Sequence, residues 1–336
     1  MSDDLEPMTP TEGVEAFLAH RKPSVAESTY YNNQTTLEQF TAWCSDNEID
    51  NLNDLSGRDL ALFVAHRREK VKPITLQKNL SAIREFLSWA ADIEAVPEGL
   101  NEKVHAPVVP DGSESRSIKL ERPRAEKILE YLDRYEYASR DHVIMAILWR
   151  TGMRLSALRS IDLDDLEGDQ FAIYLKHRPE TDTPLKNKDR SERWVFLGPE
   201  WYSVVSEYIK VNRIETTDDY GREPLLTTKQ GRISGGSIRN TVYRCCQPCF
   251  VADCPHDRDP ETCEAVGAAS VPSKCPSTRS PHAIRRGAIT GHLLEDVPPE
   301  IVSDRMDVSL DVLYQHYDAR QPDEKMEQRR KFLEGF

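Results

Sequence analysis

The chain has 336 residues, with 57 acidic side chains against 44 Lys and Arg, and its formal net charge at pH 7 is -13. This length is sufficient for two domains with a sizeable core. The sequence contains no apolar run long enough to span a bilayer and no signal-peptide pattern, which excludes the membrane and secreted classes. We therefore expect a soluble, cytoplasmic protein with no membrane partner.

The acidic balance argues against a nucleic-acid partner, because DNA binding depends on Lys and Arg side chains that neutralise phosphates. Two features weaken this argument. Arg outnumbers Lys 29 to 15, and Arg is the better bidentate ligand for phosphate. The acidic residues are spread along the whole chain, as expected of a protein that stays soluble at high salt. At molar salt the Debye length is about 3 Å, so local arginines would decide DNA binding. We expect a salt-loving source.

The N-terminal part predicts a small all-α domain over residues 10–96, preceded by a flexible N-terminus at residues 1–9. Apolar side chains recur at helical spacing in four successive segments. Ser56 is expected to cap the third helix with Asp59 as its partner, and Pro73 to open the fourth. The polar faces of these helices carry basic side chains, which the pattern leaves open as a DNA-contacting or a solvated surface: Arg67, Arg68, Lys70, Lys72, Lys78 and Arg84.

A stretch rich in Pro, Gly, Ser and charge at residues 97–117 predicts a linker, and a second domain is expected over residues 118–336. In this domain residues 141–149 are apolar nearly all round, which predicts a buried helix. The helix is expected to end at Gly152, and Arg154 follows directly. Arg154 is therefore either held at a rigid interior position or exposed at a helix C-terminus.

Two strand-like segments, residues 171–177 and 194–197, predict a small antiparallel sheet. The long turn between them carries Lys186 and Lys188, and most lysines on such turns are only solvated charges. Further helices are predicted at residues 199–212, 234–245, 281–295, 298–306 and 309–317.

Chemically informative residues concentrate near the C-terminus. Ser280 stands before a proline in the position of a helix N-cap, so His282 and Arg285 share one face of the helix that follows. Tyr314 and Tyr317 lie on a later helix. A histidine and an arginine side by side, with a tyrosine near them, indicate a phosphate site with a phenolic nucleophile. Simple packing of the tyrosine is the alternative.

These motifs occur in the order and context of the tyrosine recombinase, or phage integrase, family, which the chain resembles over its whole length. The motifs are Thr-Gly-Met-Arg-Leu-Ser-Ala-Leu at 151–158, a hairpin lysine, His-Ala-Ile-Arg at 282–285, and Tyr317, which follows Arg285 by 32 residues. The resemblance implies a mainly α fold with a small antiparallel β-sheet, in which a helical, SAM-like core-binding domain precedes an α+β catalytic domain. It also implies a site-specific recombinase that works as a tetramer on paired sites of double-stranded DNA.

The resemblance assigns roles that agree with the chemistry of the residues. Arg154 and Arg285 would stabilise the charge that develops on a DNA phosphate. His282 would act as the base for Tyr317, because a free tyrosine hydroxyl has a pKa of about 10. Spacing favours Tyr317 over Tyr314 as the nucleophile.

The family assigns protonation of the departing 5′ oxygen to the hairpin lysine. Counting back from the second strand favours Lys188, with Lys186 as the alternative. The product would be a 3′-phosphotyrosine that keeps the energy of the phosphodiester. No cofactor is therefore expected for catalysis.

Two positions depart from the family pattern. The place of an additional histidine is occupied by Asp307 or Val308, and the acidic residue common after the first arginine is replaced by Ala157. Asp307 can accept a hydrogen bond but cannot act as a cationic donor at neutral pH, and His316 is a neighbour that could take over the role. Two alternatives follow, namely a DNA-binding protein of the same fold with reduced or lost catalysis, and an enzyme similar to type IB topoisomerases.

Six of the seven cysteines lie in an insertion at residues 245–275. In a cytoplasmic chain such clustering favours metal binding over a disulfide framework. The insertion offers more than the four ligands that tetrahedral zinc requires, so a structural zinc is expected, with reduced cysteines or redox disulfides as alternatives. The candidate ligands are Cys246, Cys249, Cys254, His256 and Cys263.

Overall fold

The computed structural model describes residues 5–107, 118–259, 261–267, 271–318 and 320–334. The chain divides into two compact units, Met1–Arg116 and Ser117–Phe336. Both units are mainly helical, and the second contains a small antiparallel sheet, so the predicted fold class is confirmed. Within the described part of the chain, no helix is both long and apolar enough to cross a membrane.

The first unit is built from long helices whose apolar sides meet in one core. Phe40 lies in this core, with the ring centroids of Phe63 and Phe86 at 5.2 and 6.1 Å. The expected capping box is present at Ser56, whose side chain accepts a hydrogen bond from the backbone of Asp59 while the Asp59 carboxylate accepts one in return. The helices are α1 Pro10–Arg21, α2 Glu27–Asp46, α3 Gly57–Lys70 and α4 Pro73–Asp92.

Part of the predicted linker packs on this first unit. A 3-10 turn at Leu100–Lys103 follows α4, and Leu100 and Val104 are buried in its core. Arg84, predicted on a polar face, donates from Nε and Nη2 to the Val104 carbonyl at 2.8 and 2.6 Å. The composition of this stretch is that of a linker, so it does not reveal that Leu100 and Val104 attach the stretch to the core. The remainder of the predicted linker, 108–117, and residues 1–4 of the predicted flexible N-terminus lie outside the described residues.

In the second unit, the other elements pack around the buried helix α6 Arg140–Thr151. The apolar sequence of this helix predicts its burial. Gly152 ends this helix in the left-handed conformation, with φ of 59°. The other helices are α5 Arg122–Tyr135, α7 Leu155–Ser160, α8 Pro199–Glu207, α9 Gly235–Cys245, α10 Pro281–Leu294, α11 Pro299–Met306, α12 Leu310–Val312 and α13 Pro322–Leu333.

Two of the predicted helices continue as π turns. α8 runs into a π turn at Tyr208–Asn212, and α12 runs into one at Leu313–Tyr317. The single helix expected at 309–317 is therefore a short α-helix followed by a wider turn. Such turns are rare and often lie at functional sites, and here the turn ends at the tyrosine that spacing favours.

The sheet of the second unit has the antiparallel order β1-β2-β3. Tyr174 pairs with Trp194 in the register of β2 and β3. β2 is shorter at both ends than the predicted 171–177, and beyond β2 the chain turns away into the loop between β2 and β3, whereas β3 begins and ends one residue earlier than the predicted 194–197. This β2–β3 loop contains 3-10 turns at Pro179–Thr181 and Lys188–Ser191. The strands are β1 Leu166–Glu167, β2 Ala172–Leu175 and β3 Arg193–Phe196, with a separate pair β4 Thr227–Thr228 and β5 Gly231–Arg232.

A buried ion network fixes the start of the β2–β3 loop. Arg178, just beyond β2, donates to the two carboxylate oxygens of Asp165 at 2.6 and 3.0 Å. Burial alone would raise the pKa of the Asp165 carboxyl, but the hydrogen bonds from Arg178 hold it below its usual value. Arg232 extends the network to Asp162 and Asp218. The loop therefore leaves the sheet from a rigid base.

Gly287 in α10 lies directly against another part of the backbone. An added Cβ would meet the Leu120 carbonyl oxygen at 2.2 Å and Trp149 Cζ3 at 2.9 Å. Gly287→Ala is therefore expected to destabilise the protein by about 1–3 kcal/mol, measured as a lower urea midpoint. Gly291→Ala is the matched control on the same helix, because an added Cβ there meets no described atom within 4 Å. The control should gain about 0.5–1 kcal/mol, and equal midpoints would contradict this packing.

Candidate active site

Arg154 stands at the turn between α6 and α7, where it occupies the N-cap position of α7. Its side chain is 28% exposed, and Nη1 donates to the carboxylate of Asp307. Gly152 allows this turn to pack closely, because a Cβ there would lie 2.6 Å from Met306 Sδ. Of the two placements left open by the sequence, the structure shows the partly buried, paired one.

Arg285 lies on the buried side of α10 and is only 2% exposed. Its Nη1 donates to the carbonyl oxygens of Gly152 and Met306 at 2.8 and 2.6 Å, and Nη2 donates to the Asp307 carbonyl at 3.3 Å. Burial, followed by the charge of Arg154, lowers the pKa of the Arg285 guanidinium. Two cationic groups that repel each other in this way favour an anion beside them.

Tyr317 ends the π turn and is 7% exposed. The guanidinium carbons of Arg285 and Arg286 lie 5.3 and 5.9 Å from the centroid of the tyrosine ring. Thr290 Oγ1 donates to the Tyr317 carbonyl at 3.2 Å, which ties the turn to α10. Tyr314, the alternative nucleophile, is 51% exposed.

His282 lies beside this tyrosine, with the ring centroids of His282 and Tyr317 5.3 Å apart. Burial lowers the pKa of His282, and the charges of Arg285, Arg286 and Arg154 lower it further. The ordinary histidine pKa is about 6.5, so at neutral pH the imidazole is mostly in its neutral form. A neutral imidazole beside a phenol can accept a proton.

The two candidate lysines lie in the β2–β3 loop, and both Lys186 and Lys188 are exposed. Lys188 begins the second 3-10 turn of the loop with φ of 59°. Among the described residues, no hydrogen bond or ion pair joins either lysine to the arginines or to Tyr317. The structure thus brings together the predicted arginines, histidine and tyrosine, and it leaves the choice between the two lysines open.

Asp307 takes a larger part in the site than the sequence indicates. Besides pairing with Arg154, its carboxylate accepts hydrogen bonds from Asn187 Nδ2 and Ser191 Oγ, each at 2.8 Å. The sequence predicts only that Asp307 or Val308 stands where the family has a histidine and that Asp307 can accept a hydrogen bond. The predictions from sequence did not include Asn187, Ser191 or Arg286. Arg286 directly follows Arg285, and that doubling was the signal available in the sequence.

The expected zinc site is not supported. Cys246 is fully buried in the core, and burial raises the pKa of its thiol to about 12. His256 Nε2 lies 3.0 Å from Ser277 Oγ. Within the described residues, which omit 260 and 268–270 of the insertion, no group of three or more His, Cys, Asp or Glu side chains is arranged to hold a metal ion. The remaining predicted ligands, Cys249, Cys254 and Cys263, are free and partly exposed.

Comparisons with known proteins agree with this architecture. Residues 14–93 match the family model of the phage integrase N-terminal SAM-like domain. The Tn1549 transposon integrase in complex with a circular intermediate DNA is 14% identical, with a TM-score of 0.67 over 97% of this chain and 99% of that chain. A lambda integrase dimer bound to a COC′ core site is 10% identical, with a TM-score of 0.65 over 93% and 78%.

Two further results complete the comparisons. The N-terminal domain of a phage integrase/site-specific recombinase from Haloarcula marismortui is 30% identical and covers 30% of this chain and 99% of that one, with a TM-score of 0.30. No curated protein matches the chain.

The chain thus has the two-domain fold of the tyrosine recombinases. Residues 14–93 match the phage integrase N-terminal SAM-like domain, which, with the fold, confirms the resemblance to the tyrosine recombinase, or phage integrase, family. The expected salt-loving source stays a prediction.

Proposed function

We propose that the chain is a site-specific DNA recombinase that cuts and rejoins strands through a 3′-phosphotyrosine intermediate on Tyr317. The observation that carries the proposal is a buried tyrosine whose ring centroid lies 5.3 Å from the guanidinium carbon of Arg285 and 5.3 Å from the ring centroid of His282. A tyrosine used only for packing has no need of a buried arginine and a neutral histidine. The DNA-bound integrase structures of the same fold support DNA as the substrate.

In the proposed reaction, Arg154 and Arg285 bind the non-bridging oxygens of one DNA phosphate and stabilise the charge that develops there. The Tyr317 oxygen forms a bond to phosphorus while the bond from phosphorus to the 5′ oxygen breaks. The phenolic proton passes to His282, and the leaving oxygen takes a proton from a lysine of the β2–β3 loop. Rejoining reverses these steps with the 5′ hydroxyl of another strand.

We assign the lysine role to Lys188, with Lys186 as the alternative, because both stand on the loop that begins at the fixed base around Arg178. The phosphotyrosine link conserves the energy of the phosphodiester, so the reaction requires no metal, nucleotide or other cofactor. The protein would act in the cytoplasm on double-stranded DNA, as a tetramer on paired sites. α13 is tied to its own chain in this structure, where Lys325 Nζ lies 3.0 Å from Asp318 Oδ2.

The proposal is tested by trapping the covalent intermediate. Inverted repeats near the gene provide candidate duplexes, and a nick just 3′ of the cleavage position lets the short downstream fragment diffuse away after cleavage. A denaturing gel should then show a protein–DNA adduct on one of these duplexes and not on a scrambled one. Absence of an adduct on a duplex that the protein binds specifically would overturn the catalytic proposal. Relaxation of supercoils without site preference would favour the topoisomerase-like alternative.

Loss of catalysis within the same fold is the second candidate function, and Asp307 is the observation that favours it. Its carboxylate pairs with Arg154, one of the two proposed phosphate ligands, and a phosphate would have to share that guanidinium. Specific binding without any adduct is the result expected of such a protein. The adduct assay therefore separates the two candidates directly.

The rate of cleavage is expected to depend on the protonation of His282. Burial and the surrounding arginines lower its pKa, so the neutral, proton-accepting form persists below pH 6.5. Single-turnover cleavage should therefore be flat from about pH 7 to 8 and fall only below the ordinary histidine pKa of about 6.5. His282→Gln should remove this acidic limb and lower the plateau about 10²-fold or more.

The stability of the folded protein is also expected to fall as the pH falls. Because the folded pKa lies below the unfolded one, the unfolded chain binds more protons as the pH falls, and stability is lost below about pH 6.5. Circular dichroism at each pH separates this unfolding from the loss of the base. A midpoint for cleavage above 6.5 in the folded protein would show that His282 is not the base.

A further inference from the structure

The carboxylate of Asp307 connects two segments of the proposed site that are far apart in sequence. Arg154 contacts it from the turn between α6 and α7, and Asn187 and Ser191 contact it from the β2–β3 loop. Oδ2 accepts from Arg154 and Ser191, and Oδ1 accepts from Asn187, so both carboxylate oxygens are engaged. The side chain is only 14% exposed. A carboxylate with these partners is a fixed part of the site.

The backbone holds Asp307 firmly in this place. The residue ends α11 with φ of 53°, and its N–H donates to the Asp304 carbonyl at 3.2 Å. Arg285 binds the carbonyl oxygens of Met306 and Asp307 from the other side. The end of α11 is therefore positioned by the same buried arginine whose guanidinium lies over the ring of Tyr317.

A second connection runs parallel to the first. Arg193, at the start of β3, donates from Nε to the Arg305 carbonyl at 2.9 Å and from Nη1 to the Ser191 carbonyl at 2.7 Å. The β2–β3 loop is thus joined to the end of α11 through the Arg193 side chain, which donates to a backbone carbonyl of each, as well as through the Asp307 side chain. Lys188 lies between Asn187 and Ser191, the two residues that the carboxylate binds.

We propose that Asp307 is a positioning residue that holds the lysine-bearing β2–β3 loop against Arg154, so that the lysine reaches the leaving 5′ oxygen. This inference rests on the proposed function. An ionised carboxylate cannot donate a hydrogen bond to phosphate, and its charge repels one. Its benefit to the reaction therefore has to come through the groups that it binds. Asp307 thus stands where the family has a histidine, but it acts on the leaving group through the lysine of the β2–β3 loop.

The leaving group provides the test. An alkoxide needs a proton as it departs, whereas a thiolate, with a free thiol pKa of about 8.5 for cysteine, leaves without one. A duplex with sulfur in place of the bridging 5′ oxygen therefore no longer depends on the general acid. The variant is Asp307→Gly, because glycine accepts the left-handed conformation at this position. Single-turnover cleavage of the oxygen and sulfur duplexes is compared.

Asp307→Gly is expected to slow the oxygen duplex by about 10²-fold, the usual contribution of a general acid, and to slow the sulfur duplex far less. Lys188→Ala, or Lys186→Ala if that residue is the acid, should show the same selective rescue. Asn187→Ala and Ser191→Ala remove only the hydrogen bonds from the loop to Asp307. Each of them should also slow cleavage of the oxygen duplex. These two variants carry the test if Asp307→Gly does not fold.

Asp304→Asn is the control, because it removes an exposed carboxylate from the same helix. It should cleave both duplexes at the wild-type rate. Equal slowing of both duplexes by Asp307→Gly would show that the residue acts through Arg154 alone, and wild-type rates for the Asp307, Asn187 and Ser191 variants would remove any role for Asp307. Either result overturns the inference while leaving the proposed function intact. A wild-type protein that forms no adduct with either duplex would instead contradict the proposed function itself.

Discussion

Tyr317→Phe is expected to abolish the covalent protein–DNA adduct while leaving specific DNA binding unchanged. The substitution removes only the hydroxyl oxygen, and the ring keeps its packing against His282 and the cations of Arg285 and Arg286. No other atom of the side chain can form a bond to phosphorus. The adduct is measured on a denaturing gel with a nicked duplex, and binding is measured by gel shift at the same salt concentration.

Tyr314→Phe is the matched control for this experiment. Tyr314 lies one turn earlier and is half exposed, so loss of its hydroxyl should leave adduct formation at the wild-type level. If adducts survive in Tyr317→Phe and disappear in Tyr314→Phe, the assignment of the nucleophile is wrong. Peptide mapping of the wild-type adduct identifies the modified tyrosine independently.

Local patterns in the sequence were sufficient for the elements that carry the proposed chemistry. The apolar run before Gly152 predicted α6, and the serine and proline before His282 predicted the start of α10, which places His282 and Arg285 on one face. These are short-range signals, because a cap and the residues three positions beyond it are fixed by one turn of helix. The spacing to Tyr317 came from the family resemblance.

The parts that the sequence did not predict depend on contacts between distant segments. Asp307 accepts hydrogen bonds from residues more than a hundred positions away, and no local pattern contains such partners. Leu100 and Val104 are two apolar residues in a stretch with the composition of a linker, and only their burial reveals where they belong. The π turn that presents Tyr317 has the same periodic appearance in sequence as an ordinary helix.

The zinc prediction is not supported, for a related reason. Ligand spacing was favourable, but it does not report burial, and the Cys246 thiol lies in the core of the second unit. Burial raises the pKa of this thiol to about 12, although Arg124 and Arg279 lie near it. Composition therefore predicted enough cysteines for a zinc site, but it could not predict that Cys246 is buried in the core.

Arg285→Lys is expected to reduce cleavage by about 10²–10³-fold, the range found when a single donor to a developing oxyanion is removed. The guanidinium donates to the carbonyl oxygens of Gly152, Met306 and Asp307 and lies over the ring of Tyr317 at the same time. The three donors of a lysine diverge from one point and cannot reproduce this planar arrangement. Single-turnover cleavage of the nicked duplex measures the loss.

The same substitution should also lower stability, because buried carbonyl oxygens left without a donor cost about 1–3 kcal/mol each. Arg305→Lys separates the two effects. Arg305 is another partly buried arginine of the second unit, and its Nη2 donates to the Arg150 carbonyl at 3.1 Å, but it does not contact the tyrosine. Both variants should unfold at lower urea concentrations, and only Arg285→Lys should lose cleavage beyond the amount explained by unfolding. Equal cleavage by the two variants would mean that Arg285 is a structural arginine, and the phosphate would then have to be held by Arg154 without it.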